Sequence, residues 1–160
     1  MISQWVLLII LIVIVAAIWY QAQRQIIGAL WSANIESLTL ENNDWRRVLT
    51  TTDGLQVVAM TTPVGESLGW ETHPDNDQFF RVERGRAVLS TAQCYDGKPT
   101  GEVTKTELGD GSSAVVPRGV CHNIMNVGTE PLRMYTIYGP KHHPPGTIDH
   151  THADEIAREK

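Results

Sequence analysis

Two short segments carry side chains able to hold a cation. The first contains Glu71, His73 and Gln78, and the second contains His122. If the chain from Ser67 to His73 is extended, Glu71 and His73 project to one face, because strand side chains alternate. Pro74 to Asp77 then turn the chain and Gln78 opens a returning strand, so one hairpin brings three donors toward a point. Pro117-Arg118-Gly119 is a tight-turn signal that delivers His122 from a separate hairpin. Two imidazoles and one carboxylate resemble the facial triad, a donor set that leaves metal positions open for substrate or water. Gln78 is the weaker donor, since a neutral amide oxygen holds a divalent ion less firmly than a carboxylate. Each group also has a plainer reading: a strand His as a hydrogen-bonded core residue, Glu71 as a solvated carboxylate.

The elements that must position these groups read as short strands. Ile35–Leu40, Trp45–Thr50, Leu55–Thr61, Ser67–Thr72, Gln78–Val82, Ala87–Cys94, Glu102–Leu108, Ser113–Val116, Asn123–Val127 and Leu132–Tyr138 are mostly rich in Val, Ile, Thr and aromatics. Turn signals separate them, among them Asp53-Gly54, Asp96-Gly97 and Gly109-Asp110-Gly111. Many short strands at this spacing predict an all-β sandwich or barrel.

The segments Gly69–Gly85 and Gly111–Asn126 resemble the two motifs of the cupin superfamily, small jelly-roll β-barrels that often hold one metal ion. The second segment matches the family pattern at every fixed position. In the first, Glu71 stands where a His is usual and Gln78 where a Glu is usual. Carried over position by position, the resemblance implies Glu71, His73, Gln78 and His122 as metal ligands. The exchange of letters keeps the ligand charge unchanged, and zinc, iron, manganese and nickel all suit such a set. The stretches Asn34–Asn42, Trp45–Leu49, Asp77–Glu83, Leu132–Tyr138 and His142–Thr147 are further similar to bacterial single-domain cupins labelled mannose-6-phosphate isomerase-like. That likeness implies a metal-dependent enzyme acting on a small oxygen-rich ligand, such as a sugar derivative or an enediol. The alternative is a non-catalytic interaction module packed in a membrane-bound assembly such as a virus particle or cell-surface layer. No catalytic base is identified. A homodimer is expected by analogy with the fold.

The chain has 160 residues, enough for one domain with a proper core and a short extra segment. Its formal charge of −5 argues against a nucleic-acid surface. Trp5 to Tyr20 carry no charge; those sixteen residues would span about 24 Å as a helix, against a hydrocarbon core of about 30 Å. Flanking Trp and Tyr suit a membrane interface, and no basic residue precedes the run as a signal peptide requires. The expectation is a single-pass N-terminal anchor contacting lipid through residues 5–20. The domain layout is then residues 1–32 as a transmembrane and interfacial helix, 33–152 as the barrel and 153–160 as a tail. Cys94 and Cys121 are too few for a disulfide framework, and Cys121 is read as a small buried thiol. Asp77 is expected to cap its turn, Arg81 to face away from Gln78, and His150 and His152 to be solvated. His142 or His143 is placed over the barrel mouth.

Overall fold

The computed structural model describes residues 6, 9–15 and 30–158. The barrel is built from two antiparallel sheets. Strands β1 (Arg46–Thr51), β2 (Gln56–Thr62), β3 (Asp77–Arg84), β6 (Ser113–Val116), β8 (Leu132–Gly139) and β9 (Ile148–Asp149) form a six-stranded sheet in the order β6-β3-β8-β2-β1-β9. Strands β4 (Ala87–Tyr95), β5 (Lys98–Leu108) and β7 (Cys121–Asn126) form the second sheet in the order β5-β4-β7. The all-β architecture expected from the strand spacing is present, in the jelly-roll form that the resemblance implies.

Alternation fixes which residues reach the core. In β8, Leu132, Met134, Thr136 and Tyr138 are all buried while the residues between them are half-exposed. Leu132, Met134 and Tyr138 pack with Val58, Met60, Phe80, Val82, Leu89 and Ile124 between the sheets. Burying each large apolar side chain contributes roughly 1.5–3 kcal/mol. Strand β2 is buried along its whole length because both faces are covered. Val58 and Met60 join the core, and Thr61 meets Asn42 through a hydrogen bond of 2.9 Å.

Three local expectations are corrected. Ile35–Leu40 is not a strand; Ile35–Glu41 form helix α1. Asn34 caps it by accepting from the Ser37 backbone N–H at 3.1 Å, and Glu36 sits in its first turn. Such a cap and first-turn acid outweigh an Ile, Leu and Thr content that also suits a short strand. Ser67–Thr72 is not a regular strand either, but meets β7 at two isolated bridges, Ser67 with Met125 and Glu71 with His122. Cys94 and Cys121 are joined as a disulfide between β4 and β7. Adjacent strands bring their sulfurs together, which spacing along the chain does not reveal.

The membrane placement is also corrected. Among the described residues no helix is long and apolar enough to cross a membrane. Residues 9–15 are helical and exposed. The remainder of the expected span lies outside the described residues. At the other end, helix α2 (His152–Arg158) does not project freely: Glu155 is buried and accepts from Trp45 Nε1 at 2.5 Å.

Candidate metal centre

Glu71 and His122 are the first pair to be set. Their backbones exchange both hydrogen bonds at 2.9 Å, as an antiparallel pair does, so their side chains leave the same face. The turn before His122 is held by the Val120 N–H donating to the Pro117 carbonyl at 3.2 Å. Gly119 adopts φ 79° there, a conformation that suits a residue without a Cβ. Its N–H donates to the His73 carbonyl at 2.9 Å, tying the second motif to the first.

The side chains converge as the sequence suggests. Donor atoms of Glu71, His73 and His122 all lie within 4.8 Å of one another. His122 Nε2 is 3.2 Å from Glu71 Oε1 and 2.9 Å from Gln78 Oε1, while His73 Nε2 is 3.7 Å from Glu71 Oε1. A first-row ion bonded at about 2.1 Å separates its ligands by at most about 4.2 Å, so these spacings are of the right size. Gln78, His122 and His73 are buried, at 0%, 1% and 5% exposure, and Glu71 keeps 22% of its side chain open.

The hydrogen bonds around this group turn lone pairs inward. The Val120 carbonyl lies 3.1 Å from His122 Nδ1, so Nδ1 carries the proton and donates. In the neutral ring, Nε2 then presents a lone pair to the oxygens of Glu71 and Gln78. Gln78 sits opposite Tyr138 in the sheet register, and its amide Nε2 donates to the Tyr138 hydroxyl at 2.8 Å. That bond aims the amide oxygen at His122. Both ring nitrogens of His73 and Glu71 Oε1 are buried without a hydrogen-bond partner. Converging acceptors of this kind repel unless a proton or a metal cation sits among them. The donor set therefore fits a divalent ion.

Charge perturbation follows the same geometry. Burial alone would raise the Glu71 carboxyl, but the imidazoles of His122 and then His73, where they carry the proton that a metal cation would replace, hold it well below the usual carboxylate range. Tyr138 is pushed above the usual phenol range, first by burial and then by the Glu71 charge. Its hydroxyl keeps its proton at neutral pH and accepts from Gln78 through an oxygen lone pair.

Several residues that support the site are not legible from spacing. Trp70, Glu71, Thr72, His73, His142 and Arg158 help to line a cavity of about 480 Å³ at the barrel mouth. The loop of His142 and His143 is held by Gln56, whose Oε1 accepts from both backbone N–H groups at 3.3 and 2.9 Å. Its Nε2 donates to the His143 carbonyl at 2.8 Å. The expectation that His142 or His143 covers the mouth thus has both residues there. Burial, then the Arg46 charge, presses His143 down to about 2; packing, then the His73 ring, presses His142 down to about 4. Arg81 pairs with Glu83 at 2.9 Å, away from the site. His150 is largely exposed and lies 2.7 Å from Asp44, but His152 stacks on Trp45 with ring centres 4.3 Å apart, so it is not simply solvated.

Comparison with known proteins agrees with the architecture. Residues 58–138 match the cupin domain. The chain is 40% identical over 126 residues to the protein YrkC of Bacillus subtilis (strain 168), covering 79% of this chain and 66% of that one. The match thus spans just under two thirds of YrkC. A protein of Acanthamoeba polyphaga mimivirus is 40% identical over 121 residues, covering 75% of this chain and 71% of its own length. The crystal structure of BH2720 from Bacillus halodurans is 39% identical, with a TM-score of 0.75 over 81% of this chain and 96% of that one. No mannose-6-phosphate isomerase-like subtype emerges from these matches. Together with the two-sheet barrel and the His and Glu cluster at its mouth, they establish that this chain belongs to the cupin family.

Proposed function

We propose that the chain binds a divalent metal through Glu71, His73 and His122, with Gln78 as a weaker fourth donor, and that the metal takes a small oxygen-rich ligand. The observation that carries this reading is the meeting of buried lone pairs: His122 Nε2 faces Gln78 Oε1 at 2.9 Å and Glu71 Oε1 at 3.2 Å. A bound divalent ion supplies Lewis acidity, polarising a carbonyl or hydroxyl of the ligand. The chain's own residues do the remaining work. Val120 and Tyr138 orient the donors, and the His142–His143 loop shapes the entrance. Sugar derivatives and enediols belong to the ligand class such a centre accepts, which is the support for an isomerase-like activity.

Metal content decides the matter. The full chain, saturated with zinc, iron, manganese or nickel and then desalted, should retain a stoichiometric ion by plasma mass spectrometry. Changing His73 and His122 together to Ala should abolish retention. A folded wild-type protein that retains none of the four metals would overturn the reading and leave the barrel as an interaction module.

A further inference from the structure

His142 stands just outside the donor cluster, with its ring centre 4.3 Å from that of His73 and one side open to solvent. Its orientation is determined by Asn76. The Asn76 amide Nδ2 faces two carbonyl oxygens, Pro140 at 2.5 Å and Lys141 at 3.3 Å. Carbonyls only accept, so the amide nitrogen must lie on that side and Oδ1 must lie on the other. Oδ1 is 3.2 Å from His142 Nδ1, which therefore carries the proton and donates. The remaining nitrogen, Nε2, is left as an acceptor in the neutral ring. The backbone beneath is held by Gln56, and the ring lies over Tyr138 with centres 5.2 Å apart. His143, on the same cavity wall, is 95% buried (5% exposed) with its Nε2 unpartnered. This wall offers the His142 Nε2 acceptor to whatever occupies the cavity.

We infer that the His142 Nε2 lone pair, aimed by Asn76, accepts a hydrogen bond from a hydroxyl of the metal-bound ligand, so that the site selects hydroxylated oxygen chelators such as 2-hydroxy acids. This rests on the metal reading above and goes further by assigning the chemical class of the ligand. A site with a waiting acceptor penalises a ligand that brings no donor, because the acceptor is then desolvated without a partner.

The test uses the full chain loaded with cobalt(II), whose visible absorption reports on the metal's surroundings. Glycolate and methoxyacetate are titrated separately; they share a carboxylate and an ether or hydroxyl oxygen, and only glycolate has the hydroxyl proton. The expected result is a preference for glycolate of roughly tenfold, the scale of one hydrogen bond. His142→Phe keeps the bulk of a ring and removes the acceptor, so steric rejection of the methyl group persists there while the hydrogen-bond preference falls to within about twofold. Thermal melting confirms that this variant is folded, and its cobalt stoichiometry is measured before titration. Equal affinities in the wild type, or an undiminished preference in the Phe variant, would overturn the inference while leaving metal binding intact. A folded chain that takes up neither cobalt nor zinc, iron, manganese or nickel defeats the metal reading, and this inference with it.

Discussion

Asp77 binds Arg118 at three points: the Arg118 backbone N–H donates to Oδ1 at 3.0 Å, Nε donates to Oδ1 at 3.2 Å, and Nη2 donates to Oδ2 at 3.0 Å. Asp77 directly precedes Gln78, and Arg118 belongs to the turn that delivers His122. The pair therefore fastens the two motifs to each other at the protein surface. Its role as a cap for its own turn, expected from sequence, is replaced by a tie across the site. Arg118 holds the Asp77 carboxyl below its usual value, by its side chain first and its backbone second.

Asp77→Ala should act on the site more than on the fold. Surface ion pairs add little stability, so the melting temperature should barely move. Ligand-orienting contacts typically matter by about 10–100-fold in metal affinity; a loss near the lower figure is expected. Competition against a chromogenic chelator measures it. Unaltered affinity would show that the tie is dispensable.

Tyr138→Phe removes the acceptor for the Gln78 amide and leaves a buried N–H unpaired. The expected destabilisation is about 1–3 kcal/mol by urea unfolding. The amide, no longer held with its oxygen inward, should also hold metal less well. A variant as stable as wild type would contradict the account of how Gln78 is oriented.

Arg46 is 1% exposed and lies 2.5 Å from Glu155 and 3.5 Å from Asp149. Arg46→Ala leaves the buried Glu155 carboxylate with Trp45 Nε1 but without its arginine, while Asp149 keeps Arg158 at 2.9 Å; the change is expected to destabilise by about 3 kcal/mol. Denaturant titration gives the value. A loss below about 1 kcal/mol would mean that water reaches this network, as it does for an exposed pair.

Acid should weaken the fold through His143. Its folded value is about 2 against an ordinary 6.5, so the unfolded chain binds a proton that the folded chain refuses. The cost is absent above about pH 6.5 and grows as pH falls toward 2, at up to about 1.4 kcal/mol per pH unit. Around the ring stand Arg46, His142, Arg158 and Glu71. His143→Gln should flatten stability against pH between about 6 and 4; an unchanged slope would place the titration elsewhere.

Reducing the Cys94–Cys121 disulfide opens a link spanning 27 residues. Chain entropy puts the loss at about 3–4 kcal/mol. Melting with and without dithiothreitol should show it as a clear drop in transition temperature, and identical curves would exclude this contribution.

Much of this protein was decided locally. Alternating apolar residues and Gly-containing turns are short-range signals, and they suffice for β3, β6 and β8, whereas the set Glu71, His73, Gln78 and His122 was legible through the family resemblance. Local pattern misleads where two states share it: Ile35–Glu41 has the Ile, Thr and Leu content of a strand, yet the Asn34 cap makes it a helix. An apolar run such as residues 5–20 shows hydrophobicity, while crossing a membrane needs continuous helical length, which the described residues do not supply. Tertiary structure alone decided which nitrogen of His122 and His142 keeps a lone pair, because Val120 and Asn76 set those tautomers through hydrogen bonds. It also decided the disulfide, the hold of Gln56 on the His142 loop and the tie between Asp77 and Arg118. Each depends on groups from different segments arriving within about 3 Å, the range of a hydrogen bond, and chain spacing carries no record of that meeting.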